Sequence, residues 1–217
     1  MTDDLQWKRF EELHDRQLSF FREKKFVDAA EMWKDAAGEF EAAGFSEHAA
    51  HASALAGSAY SCAQENAEAL AAYKRATELE PTDAIHRLAA GRFLLEFNND
   101  PGQALGEIEA AIDLAARNPN TLYSLSEALG LLGVAWLRLG RLQEADELFQ
   151  STCRTAAAGP LKPALDLRLA SEYAKQGRFT KEGAQFAVDA AEWAKATNND
   201  DLMARVKGLE RHNETSA

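Results

Sequence analysis

The stretch Leu129 to Phe149, LGLLGVAWLRLGRLQEADELF, constrains the fold more than any other, because it holds one complete helix-turn-helix unit. Gly133 lies inside the first helix of that unit, where glycine costs about 1 kcal/mol relative to alanine. Such a cost is expected where a second helix comes too close for a side chain, and Ala145 is the matching small residue on the return helix. Trp136 and Phe149 fill the space beside these two, an alternation of large and small that dense packing favours. Gly140 can take the left-handed conformation that ends a helix, and Arg141 starts the return. One such pair has no core of its own, so it predicts further pairs along the chain.

Worn copies of the unit flank it on both sides. Thr2, Asp3 and Asp4 can cap a helix running to about Arg22, Lys24 and Lys25 mark a turn, and a second helix carries Phe26, Ala29, Trp33 and Ala36 until Gly44 ends it. Ser46 is read as the cap of a helix to about Cys62, with Gly57 and Tyr60 as its small and aromatic residues; its partner holds Ala69, Tyr73 and Ala76 and stops before Pro81. Thr82 or Asp83 starts the next helix, which contains Gly91, and Asp100 followed by Pro101 starts its return. The small residue of each return helix recurs at Ala29, Ala69, Ala104 and Ala145, separations of 40, 35 and 41 residues, while Gly57, Gly91 and Gly133 are 34 and 42 apart. After Gly159, Pro160 and Pro163 a fifth pair carries Leu169, Ala170, Tyr173, Phe179 and Phe186, with Glu182 where a small residue is expected. A terminal helix over about 200–212 has Leu202, Val206 and Leu209 on one face, as a cap should, and 213–217 form a frayed tail.

Composition agrees with helices and excludes several roles. Few prolines (5) and glycines (13) and many alanines favour helix over strand. With 24 Lys and Arg against 35 Asp and Glu, the net charge is −11, which argues against sequence-independent attraction to nucleic acid or anionic lipid. No run approaches the ~18 apolar residues of a membrane span, and the amino terminus MTDDLQWKRF lacks the basic-then-apolar order of a secretory signal, so a cytoplasmic location is expected. Cys62 and Cys153 are read as reduced, packed thiols rather than a disulfide framework or zinc site.

The residues Leu129, Leu132, Gly133, Trp136, Gly140, Leu142, Ala145 and Phe149 resemble the tetratricopeptide repeat (TPR) pattern, and the likeness extends over roughly 10–192. It implies an all-α, right-handed superhelix of about five antiparallel helix pairs plus a C-terminal capping helix, one solenoid domain over 1–212. In that family the first helix of each pair lines a concave groove. The resemblance thereby marks Leu18, Phe21 and Arg22; His51, Ala54, Ser58 and Cys62; Leu88, Arg92 and Leu95; Leu131, Val134 and Arg138; and Leu167, Arg168, Ser171 and Lys175 as groove positions.

These positions contain five basic residues and no acid in an acidic protein. They suggest an adaptor or scaffold that holds a partner peptide or helix, acidic and apolar in character, with the arginines pairing carboxylates. A regulatory sensor enclosing a short signalling peptide or small ligand is the second reading. A homodimer through the exposed apolar groove residues stays open. The lysines and asparagines with which some TPR domains clamp a terminal carboxylate are almost missing from these places. Glu47, His48 and His51 form an EHAAH run without a third ligand, so no metal is expected, and no phosphate loop, nucleophile elbow or catalytic carboxylate pair points to an enzyme or a cofactor.

Overall fold

A computed structural model of the chain describes residues 3–117, 122–145 and 147–148, with isolated helical positions beyond, and side chains from Trp7 to Arg117, from Glu127 to Ala145 and at those further positions. Two compact units are present, Met1–Pro119 and Asn120–Ala217. In the first, α1 (Asp3–Arg22), α2 (Phe26–Ala42), α3 (Ser46–Ala63), α4 (Asn66–Leu79), α5 (Ala84–Glu96) and α6 (Pro101–Arg117) make three consecutive helix pairs. In the second, α7 (Leu122–Arg138) is followed after a turn by helical residues from 142. Every regular element among the described residues is helical. The fifth pair and the terminal cap lie outside the described residues.

The turns are made almost entirely by the main chain. At the end of α1 the N–H of Lys25 donates to the Phe20 carbonyl (2.8 Å) and that of Lys24 to Phe21 (3.1 Å). The same two bonds recur after α2 (Phe45 to Phe40, Gly44 to Glu41), after α3 (Glu65 to Tyr60, Gln64 to Ser61) and after α7 (Arg141 to Trp136, Gly140 to Leu137). This double closure is the Schellman arrangement, and it requires one residue in the left-handed region. Gly44 (φ +81°) and Gly140 (φ +76°) meet the requirement freely, whereas Lys24 (φ +58°) and Gln64 (φ +65°) do so against the preference of a side chain. Asp83 and Asp100 cap as expected: their carboxylates accept from Ile85 N (2.6 Å) and Gln103 N (2.9 Å). Ser46 does not. It is already helical, Phe45 stands at the cap without a side-chain bond, and the preceding turn leaves no extended residue for the serine to occupy.

Pairs lock where a glycine lets a neighbour in. A methyl on Gly57 would stand 3.1 Å from the Tyr73 ring, and one on Gly91 only 2.7 Å from Ile108 Cγ1 and 3.4 Å from its backbone nitrogen. Ala69, Ala104 and Ala145, the small residues of the return helices, are fully buried. The first pair departs from this rule. Gln17 stands twelve residues before Ala29, as Gly57 does before Ala69; it is buried, and its Oε1 has no hydrogen-bond partner among the described residues. Phe10, Trp33 and Phe40 fill the α1–α2 interior, with the Phe10 and Trp33 centroids 4.9 Å apart.

From Ala128 to Leu137, α7 is apolar around its whole circumference. Ala128, Leu131, Leu132, Val134, Ala135 and Leu137 are all buried, the behaviour of an interior helix rather than one with a solvent side. At its end the Arg141 guanidinium stacks 5.0 Å over the Trp136 ring.

The glycines are expected to separate in a urea melt. Gly91→Ala destabilises by about 1–3 kcal/mol, because Ile108 and its backbone must move. Gly38→Ala, in mid-α2 with nothing within 4 Å of the added methyl, leaves stability unchanged or raises it by up to about 1 kcal/mol. Gln64→Gly relieves the left-handed side chain and raises stability by about 0.5–1 kcal/mol, moving the midpoint to higher urea.

Candidate functional site

The first helices of the three pairs in the first unit lie side by side. The ring centroids of Phe10 on α1 and His51 on α3 are 5.4 Å apart, and those of His51 and His86 on α5 are 5.9 Å apart. The outward surface of this α1–α3–α5 layer is where the sequence places a groove.

Arg22, His51 and Cys62 are exposed there, and Phe21, Ala54, Ser58 and Arg92 are half-buried. Leu18 is 46% exposed, a large apolar side chain left in water. Leu88 and Leu95 are instead buried, at 3% and 0% exposure, and belong to the packed interior of the unit. On α7 the sequence expects an outward Leu131 and Val134, yet they are 0% and 2% exposed, while Glu127 and Arg138, which flank them on the same stripe, are half-buried. Leu167, Arg168, Ser171 and Lys175 lie outside the described residues.

Two features of this face escape a reading of the sequence. Ile85, 52% exposed, sits one turn before Leu88 in the first turn of α5 and offers a second apolar anchor on the layer that carries Leu18. Its spacing from Leu88 is the signal that could have found it. The second is a hollow of about 350 Å³ where α1 and α3 end, lined by Lys24, Lys25, Val27 and Cys62 among others. Lys25 is bonded to Glu23 at 2.7 Å, while Lys24 is exposed on the left-handed residue of the turn. A turn lysine carries no periodic mark, so nothing in the sequence singles it out.

The histidines of the layer are packing groups. His48 is buried against Trp7, Phe10, Phe40 and Phe45, with its centroid 4.9 Å from Trp7 and 5.5 Å from Phe40. Among the described residues no three His, Cys, Asp or Glu side chains converge on a metal position. Burial lowers the pKa of His86; the Asp83 carboxylate, 3.8 Å from its Nε2, opposes the shift and His51 adds to it. Partial desolvation between its ring neighbours likewise lowers His51, opposed by Asp83 and Glu47 and reinforced by His48 and His14. Desolvation pushes the Cys62 thiol up, so it is not a thiolate nucleophile at neutral pH. No helix among the described residues is long and apolar enough to cross a membrane.

No protein-family model and no curated protein matches the sequence. Solved structures do match the fold. The TPR-like repeats of a Podosopora anserina putative kinesin light chain superpose with TM-score 0.69 at 17% identity, over 88% of this chain and 97% of that one. Pseudomonas aeruginosa pilF gives 0.63 at 18% identity (95% and 92% covered), and PilW, a type IV pilus biogenesis factor, 0.62 at 15% (95% and 94%). The chain therefore has an all-α, TPR-like fold.

The desolvated imidazoles make stability acid-sensitive. An unfolded histidine takes up its proton near pH 6.5, whereas folded His86 and His51 do so only at lower pH. The unfolded state thus binds more protons on acidification, and the melting temperature should fall as pH drops from about 6.5 towards 5. His86→Leu is expected to flatten that fall; an unchanged slope would contradict the assignment.

Proposed function

We propose, with the TPR-like fold as premise, that the chain is a non-enzymatic protein-interaction module, and that the α1–α3–α5 face holds a partner segment with apolar anchors beside acidic residues. The observation that carries this reading is the exposure of Leu18 and Ile85, two large apolar side chains on a helical layer that also leaves Trp7 54% exposed. At the α1 end, Arg22 and the hollow with Lys24, Lys25 and Val27 favour carboxylates beside a modest apolar group. Arg92 adds a guanidinium further along the same layer. A neighbour in fold, YrrB, is described as a TPR protein with an unusual peptide-binding site; it superposes with TM-score 0.50 at 19% identity, over 88% of this chain and 96% of that one. The reading includes a cytoplasmic setting, where Cys62 remains a thiol.

Selection from a random peptide display library tests the proposal and needs no identified partner. Enriched sequences should combine Asp or Glu with Leu, Ile or Phe. Leu18→Glu with Ile85→Glu should weaken the selected peptides at least tenfold, and Arg22→Glu with Lys24→Glu should weaken the acidic ones most, with melting temperatures unchanged. Enrichment of basic peptides, or binding indifferent to all four changes, would falsify it.

A further inference from the structure

The opposite side of the first pair carries a different surface. Between α1 and α2 lies a hollow of about 490 Å³ lined by residues of these two helices alone. Its floor is apolar: Leu13, Phe20 and Met32 are half-buried and Ala36 is buried. This is the pair in which Gln17 replaces the glycine of its neighbours, so α1 lacks the close approach to its return helix that Gly57 and Gly91 allow.

Charge divides the rim by helix. α1 contributes Arg9 and Arg16, and α2 contributes Asp28, Asp35 and Glu39, all exposed. Arg9 closes on Glu39 within the chain, and Phe21 meets Phe26 at the other end, with centroids 5.1 Å apart. These two contacts set the antiparallel register and bring Arg16 level with Met32, between Asp35 and Asp28. Among the described residues Arg16 forms no salt bridge; its guanidinium lies 5.4 Å over the Phe20 ring. Asp28 and Asp35 form none there either. Glu31 is taken up elsewhere, by the Tyr60 hydroxyl and the Lys34 ammonium.

A basic edge from α1 beside an acidic edge from α2 on one rim is complementary to itself. A two-fold axis lying in the face and parallel to the helices sets α1 of one copy over α2 of the other, and the reverse, at the same height along the axis. Arg16 of each copy then meets Asp28 and Asp35 of the other, Arg9 meets Glu39, and the Phe20, Leu13 and Met32 side chains close over the apolar floor. An axis perpendicular to the helices would instead stack arginine on arginine. We infer that the outer α1–α2 face is the interface of an isologous homodimer, formed by a second copy of this chain in the first arrangement. It meets the proposed partner surface at Asp28, which lines both hollows, while Leu18 and Ile85 lie outside it.

Sedimentation equilibrium of the full chain at about 1–100 µM, in low and in high salt, tests this. A dimer is expected whose dissociation constant rises at least tenfold between about 50 mM and about 500 mM salt, as exposed charge pairs are screened. Arg16→Asp and Asp35→Arg should each be monomeric with unchanged melting temperature. Mixed one to one, they should form a heterodimer, because the carboxylate introduced in the first variant then meets the guanidinium introduced in the second, while the other contact stays native. That recovery distinguishes loss of a specific contact from loss of fold. A chain that is monomeric throughout the concentration range, single variants that still dimerise, or a mixture that stays monomeric would each overturn the inference.

Discussion

Contact between helices across positions without a side chain is the constraint on which the first unit rests. Gly57 lies under the Tyr73 ring and Gly91 under Ile108, close enough that a methyl group at either place would force its neighbour to move. These contacts bury Ala69 and Ala104 completely and put Phe93 and Tyr73 beside each other, 5.4 Å between centroids. Once the pairs are locked, α1, α3 and α5 form a layer whose outward residues carry little of the fold's stability. Exposed Leu18 and Ile85 can then be read as available for another molecule rather than as packing errors. The first pair shows the converse. With Gln17 in the glycine's place, α1 and α2 leave a hollow between them, and the charges on its rim are what remains to decide its occupant.

Local chemistry is readable from the sequence, and three-dimensional context is not. Asp83, Asp100, Pro101 and Gly140 declare helix ends through properties that each residue has alone, and the structure uses them so. Ser46 has the same credentials but stands too close to the Gly44 turn, so the backbone gives it no cap geometry to fill. Lys24 and Gln64 take left-handed conformations that their side chains disfavour; only the bonds closing across them reveal why. The groove positions illustrate a further limit. A helical projection presumes one wet side, which holds for α1 and fails for the middle of α7, where Leu131 and Val134 are buried in a run, Ala128 to Leu137, that is apolar on every side. Ile85 is legible in such a projection through its spacing from Leu88, whereas Lys24 is hidden because turn residues have no period.

The EHAAH run shows how packing can imitate a site. His48 spends its ring against four aromatic neighbours, and His51 bridges Phe10 to His86. An imidazole is a thin flat filler as well as a base, and here its shape is what the layer uses. The consequence is electrostatic: the buried Nε2 of His48 and Nδ1 of His86 find no hydrogen-bond partner among the described residues, at a cost of about 1–3 kcal/mol each. Neutral histidines tolerate that burial far better than protonated ones do.

The repeated turn closure bears on how such a chain can change over time. After α1, α2, α3 and α7 the joint is held by amide and carbonyl groups of the backbone, and lysine, glutamine or glycine can each stand at its left-handed position. The joints therefore ask for one tolerant residue per bend, beside the small residues in register and the buried apolar positions that pack the pairs. Structures sharing 15–18% of residues with this chain superpose on it with TM-scores of 0.62–0.69, so the likeness is one of fold and not of side chains.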